Sequence, residues 1–193
     1  MPVTKKIILA STSSRRQKLL NTLGLSFIVK KIAVNEKIEG AVNPQKAILK
    51  NAEKKVAAAA KGESEGLVLG ADTMILLGKE AISKPKDFAE ALKTLTKLFG
   101  KTHKVITVLV VFDIFSRQLE KRVVISDVSF LKIPPQTLKD YIVKFKPYDK
   151  AGAYAIQEDA LFWVKEIKGL ITNILGLPLE MLVSVLQKFG LTF

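Results

Sequence analysis

Short, fully apolar runs alternate along this chain with longer segments in which apolar residues recur every three or four positions. The first kind reads as buried strand and the second as helix lying on a sheet. The segment around which the rest is organised is Leu67-Val68-Leu69-Gly70-Ala71-Asp72-Thr73. Its apolar start predicts a buried strand, and its small residues let another chain or a ligand approach the backbone. Asp72 then stands where a central strand would leave the core. A carboxylate there needs a cation, a metal or several donors, and a structural Lys or Thr would serve as well as a ligand.

Further strands are predicted at 6–10, 26–32, 74–77, 103–112, 122–131 and 161–167. The fourth and fifth of these read as antiparallel neighbours, and Gly78-Lys79-Glu80 turns 74–77 into a hairpin with Ala81-Ile82. Helices are predicted at 15–23, closed by Gly24, and at 45–61, opened by Asn43-Pro44. The second carries Ala47, Ile48, Ala52, Val56 and Ala59 on its apolar stripe, with Lys54 and Lys55 assigned to the exposed side by default. Three more follow: 88–99 capped by Asp87, 136–145 behind Pro134-Pro135, and 179–189 behind Pro178. Segment 146–157 is rich in small residues, with two Tyr and the Asp149-Lys150 pair, and suits a loop lining a pocket. With no repeat and no linker, the reading is one α/β domain over 1–193.

Composition changes this picture little. With 193 residues, 48% of them hydrophobic, the chain can bury a core. No apolar run reaches the roughly 20 residues of a membrane helix, and the apolar stretch near the amino terminus is too short for a signal peptide. A cytoplasmic location is the default expectation. The absence of Cys excludes disulfides and thiolate metal sites. A net charge of +13, from 31 basic against 18 acidic residues, points to an anionic partner. The basic residues are scattered, and one Trp with three Tyr offers few stacking platforms for single-stranded nucleic acid. A nucleoside triphosphate would be attracted equally well.

Candidate chemistry gathers after the first strand. Ser11-Thr12-Ser13-Ser14 leads into a helix start bearing Arg15 and Arg16, an arrangement suited to an anion. A serine N-cap with a solvated Arg pair explains it equally. The glycine spacing and Lys-Ser/Thr ending of a P-loop are missing. His103 is the sole His, and no Gly-x-Ser-x-Gly elbow accompanies it, which argues against a hydrolytic triad.

Taken together, Ile8-Leu9-Ala10-Ser11 through Arg15-Arg16 and Leu19-Leu20, Gly70-Ala71-Asp72-Thr73, Lys84-Pro85-Lys86-Asp87, Gly100-Lys101-Thr102-His103, Asp149-Lys150-Ala151-Gly152-Ala153-Tyr154 to Gln157, and Gly176-Leu177-Pro178-Leu179 resemble the Maf family of nucleoside triphosphate pyrophosphatases from end to end. The Arg pair, the Asp-Thr after Gly-Ala and the Asp-Lys-Ala-Gly-Ala-Tyr block look like the branch that cleaves dTTP and UTP. The resemblance implies a mixed, twisted β-sheet flanked by helices, with a central cleft between two lobes, as in ITP pyrophosphatases. It implies hydrolysis of the α–β phosphoanhydride, with Asp72, Glu36 and Lys84 catalytic and Ser11, Arg15, Arg16, Lys55, Thr73 and Gln157 binding substrate. Glu36 and Asp72 would hold a divalent metal, Mg²⁺ or Mn²⁺, and a homodimer is implied, with neither membrane nor nucleic acid as partner. Pool cleaning and restraint of cell division are the roles suggested for such enzymes. The chain departs from the pattern at Ser14, where Pro is usual, at Lys146, where Glu is usual, and at Ala155 and Glu158, where Gly is usual. Two rival readings are a purine house-cleaning enzyme for ITP or XTP, and a non-catalytic, nucleic-acid-binding regulator of septation.

Overall fold

The computed structural model describes residues 5–35, 43–157 and 159–193, without the side chain of Asp159. Among them lies a seven-stranded mixed sheet in the order β2-β1-β3-β5-β6-β7, with β4 paired to β3. β1 (Ile7–Leu9) runs parallel to both β2 (Phe27–Val29) and β3 (Leu67–Leu77), Leu9 lying opposite Val29 and Leu69. β4 (Glu80–Ile82) forms the expected hairpin with β3, turning at Gly78, whose φ of 60° suits glycine. β5 (Thr102–Asp113) and β6 (Leu119–Phe130) are adjacent, and β7 (Val164–Lys168) runs antiparallel to β6. No helix among the described residues is long and apolar enough to cross a membrane.

The chain divides into two compact units. The first comprises Met1–Asp72, Thr107–Val124 and Gly176–Phe193. Its core joins Leu9, Leu67, Leu69 and Leu109 to Leu20 of α1 (Ser14–Asn21) and to Leu182 and Leu186 of α6 (Leu179–Lys188). Also in this unit, α2 (Pro44–Ala60) starts at the Asn43 cap, which accepts the Lys46 N–H at 3.0 Å, and buries Ile48, Ala52, Val56 and Ala59. This is the stripe that its periodicity predicts. The helix reaches β3 at Gly70, where an added Cβ would lie 2.4 Å from the Val56 Cγ2 and 3.0 Å from the Ala52 carbonyl oxygen. Gly70 is therefore needed for close approach rather than for a turn.

The second unit comprises Thr73–Ile106 and Ile125–Leu175. Here α3 (Phe88–Leu98) and α4 (Pro135–Phe145) bury Leu95, Leu98, Leu138 and Ile142 among Val105, Val128 and Phe130, and the single turn α5 (Ile171–Ile174) adds Ile174. Asp87 caps α3 by accepting the Glu90 N–H at 2.8 Å, as expected. Phe99 stacks on Phe130 with centroids 4.3 Å apart, and Trp163 meets the Phe99 edge at 5.6 Å.

Two elements differ from expectation. The predicted strands 67–73 and 74–77 are one continuous strand, because α2 covers Gly70 and supplies partners to Asp72, so nothing forces the chain out of the sheet there. The predicted strand 161–167 begins as a 3₁₀ turn, Asp159–Trp163, in which Leu161 and Phe162 are exposed, and becomes strand at Val164, where pairing with Phe130 starts.

Candidate active site

Asp72 lies in the middle of β3, 6% exposed. On α2, Asn51 and Lys55 stand one helical turn apart and point to the same side. The Asn51 amide donates from Nδ2 to Asp72 Oδ2 at 3.1 Å, and the Lys55 ammonium donates to Oδ1 at 3.2 Å. Asn51 is 2% exposed and Lys55 6%. Burying two charges costs several kcal/mol each unless geometry and further hydrogen bonds compensate, and the amide supplies the further bond. The close approach at Gly70 brings α2 near enough for both side chains to reach the acid. Lys55 is thus buried, contrary to its default placement on the exposed face, whereas Lys54 is exposed. A carboxylate offers about four lone-pair positions, and these two donors leave room for a water or a metal on Asp72.

β1 delivers Ser11 alongside. Its register with β3 pairs Leu9 with Leu69, and the Ala10 N–H donates to the Leu69 carbonyl at 2.8 Å, so the chain leaves β1 beside the Gly70-Ala71-Asp72 stretch. The carboxyl ends of parallel strands are where open α/β sheets bind ligands. The Ser11 hydroxyl oxygen accepts from the Ser13 N–H and from Arg16, each at 3.3 Å, which leaves its own proton to donate. Arg16 also donates from Nε to the Gly176 carbonyl at 2.8 Å, tying α1 to the turn before α6. Arg15 has no hydrogen bond or ion pair among the described residues and remains the available guanidinium of the pair. Ser14 occupies the first position of α1, and Ser13 provides no side-chain cap.

Within the second unit, Thr73 follows Asp72 on β3, and successive strand residues face opposite sides of the sheet. Lys84 is exposed next to the buried Pro85, between β4 and α3. The loop 146–157 is more buried than its polarity suggests, since Ala153, Tyr154, Ala155 and Ile156 all lie in the interior. Gly152 has φ 74°, and a Cβ there would lie 2.5 Å from Ile75 Cδ1; Ala153 also takes the left-handed conformation, φ 58°. Two phenols hold this strained turn. The Tyr154 hydroxyl meets His103 Nε2 at 2.8 Å, and the Tyr141 hydroxyl accepts the Ala155 N–H at 3.0 Å. His103 is 1% exposed, and burial lowers its pKa from 6.5 to about 4 against the opposing pull of Asp127. It is a neutral strut. Gln157 is exposed just beyond this turn. Lys146 takes the left-handed position that closes α4, φ 45°.

Glu36 and Glu158 lie outside the described residues. No cluster of three metal-ligating side chains occurs among the described ones. Asn51 escaped the sequence reading, although a signal existed: Asn51 and Lys55 immediately precede Ala52 and Val56, and so flank the buried stripe at helical spacing.

Comparison with known proteins bears directly on this arrangement. The family model described as Maf-like protein matches residues 6–189. The chain belongs to the Maf family. Its Maf relatives include the dTTP/UTP pyrophosphatase of Desulforamulus reducens, 38% identical over 96% of this chain and 97% of that one. Those of Citrifermentans bemidjiense and Aquifex aeolicus are 39% and 36% identical, covering 95% and 96% of this chain and the same shares of theirs. Among solved structures, the Staphylococcus aureus Ham1 protein matches with a TM-score of 0.55 at 15% identity, over 95% of this chain and 99% of that one. That likeness shows a shared fold.

Proposed function

We propose that this Maf protein hydrolyses the α–β phosphoanhydride of dTTP or UTP to the nucleoside monophosphate and pyrophosphate. The observation that carries this is the buried Asp72, doubly held by Asn51 and Lys55 beside the Ser11–Arg15 turn, in a chain whose relatives bear that activity in their names. Water attacks the α-phosphorus, the bond to the α–β bridging oxygen breaks, and the pair leaves as pyrophosphate. Asp72, with Glu36, takes the proton of the attacking water. Arg15 grips phosphate oxygens through paired donors, Ser11 donates its hydroxyl proton, and Lys84 adds a point charge. Lys55 keeps Asp72 oriented, and Thr73 and Gln157 complete the substrate contacts.

A magnesium site built from one or two carboxylates plus substrate phosphates fits the vacant lone pairs of Asp72, so Asp72 and Glu36 would hold Mg²⁺ or Mn²⁺. When bound, such an ion supplies charge neutralisation and a more acidic water. The proposal includes a single domain over 1–193 acting as a homodimer in the cytoplasm. Pyrophosphate and phosphate release over a nucleotide panel, with Mg²⁺ and with EDTA, tests it. Metal-dependent pyrophosphate release from dTTP or UTP is expected. Release from ITP or XTP alone moves the chain to purine cleaning, and no release from folded protein removes the enzyme reading.

A further inference from the structure

Beside the Asp72 cluster, within the first unit, a recess of about 240 Å³ is lined by Asn35, Ala47, Lys50, Asn51 and Lys54. Ala47, Lys50, Asn51 and Lys54 recur at three- and four-residue spacing, so they form one stripe of α2. Asn51 forms part of the wall while its amide is fixed on Asp72, so the recess starts one side chain away from the acid. Lys50 and Lys54 are exposed at its rim, and neither has an ion pair or hydrogen bond among the described residues. Like charges one turn apart repel, yet the intervening carboxylate, Glu53, is paired with Lys121 instead. Two ammonium groups thus stand one turn apart with no counter-charge paired to them among the described residues.

We propose that this recess is the subsite for the terminal phosphates, which the reaction releases as pyrophosphate. The inference rests on the reading of the chain as a nucleotide pyrophosphatase. Its lining contains no aromatic ring, and Ala47 is its only apolar residue, so it offers nothing for a base to stack on. Lysines serve as point charges for phosphate oxygens, and amides serve as neutral donors. With the α-phosphorus next to Asp72, the remainder of the triphosphate extends over Asn51 to Lys50 and Lys54.

Calorimetric titration of wild type and Lys50→Gln/Lys54→Gln with sodium pyrophosphate, and separately with UMP or dTMP, tests this without requiring turnover. Pyrophosphate should bind the double variant about tenfold or more weakly, with monophosphate affinity and Tm retained. A control, Lys93→Gln/Lys139→Gln, removes two exposed lysines of the second unit and should bind pyrophosphate as wild type does. Equal pyrophosphate affinity in wild type and the Lys50/Lys54 variant overturns the subsite, as does equal weakening for monophosphate or the same loss in the control. Absence of nucleotide hydrolysis by wild type would instead overturn the proposed activity, leaving the pyrophosphate titration to decide the subsite.

Discussion

In the first unit a carboxylate, an ammonium and an amide meet at 3.1 and 3.2 Å beneath α2, whereas in the second a neutral imidazole and a phenol meet at 2.8 Å beside Phe130. Both groups are almost fully buried. The first retains charge in the interior, an arrangement that packed apolar residues often match or exceed in stability. The second suppresses charge, because burial keeps His103 unprotonated and leaves it as a geometric support. The contrast separates two uses of buried polarity. Charge is kept at Asp72, where the proposed hydrolysis calls for an acid, and neutral hydrogen bonds suffice where a loop only has to be held.

The strongest challenge to that distinction is Asp72→Asn. Pyrophosphate release should fall by roughly 10³ or more, while far-UV circular dichroism at 25 °C stays that of wild type. Wild-type-like rates would remove Asp72 from the mechanism. Lys55→Met probes the stability side of the same cluster. It leaves a buried carboxylate with the Asn51 bond alone and should cost about 3–5 kcal/mol, lowering Tm by on the order of 10 °C in a thermal melt. A negligible change would mean that the pair is solvated and not interior.

The neutral strut has its own signature in pH. The unfolded imidazole takes up its proton near 6.5, the folded one only at about 4. The unfolded state therefore binds more protons between these values, and stability falls as pH drops through that window. His103 should contribute a loss of at most about 3 kcal/mol between pH 6.5 and 4, absent in His103→Gln, as read from urea midpoints across pH. The smallest effect is expected at Ser14→Pro. Ser13 has φ −61° and ψ 115°, already suited to precede proline, and the first helical position needs no N–H partner. A gain of about 0.4–1 kcal/mol should appear as a higher Tm.

Local pattern by itself determined most of the elements. The α2 stripe, the Asp87 cap, the hairpin at Gly78 and the run that became β5 follow from spacing and turn chemistry, which depend on a few neighbouring residues. The same local reading placed Ser11 just after the first strand, Arg15 at a helix start and Asp72 where a strand leaves the core. It divided β3 in two and put Lys55 on the outside, because small residues and a lysine look like a break and a surface when nothing is known of what covers them. Tertiary structure decided these points. Only the approach of α2 to Gly70 buries Lys55 and recruits Asn51. Only the fold brings Arg16 to the carbonyl of Gly176, 160 residues away, and so distinguishes it from Arg15. Likewise, His103 became a strut only when Tyr154 arrived from 51 residues further on. Periodicity reports which face of an element is apolar, but a buried polar group is defined by its partner, and that partner here comes from another element.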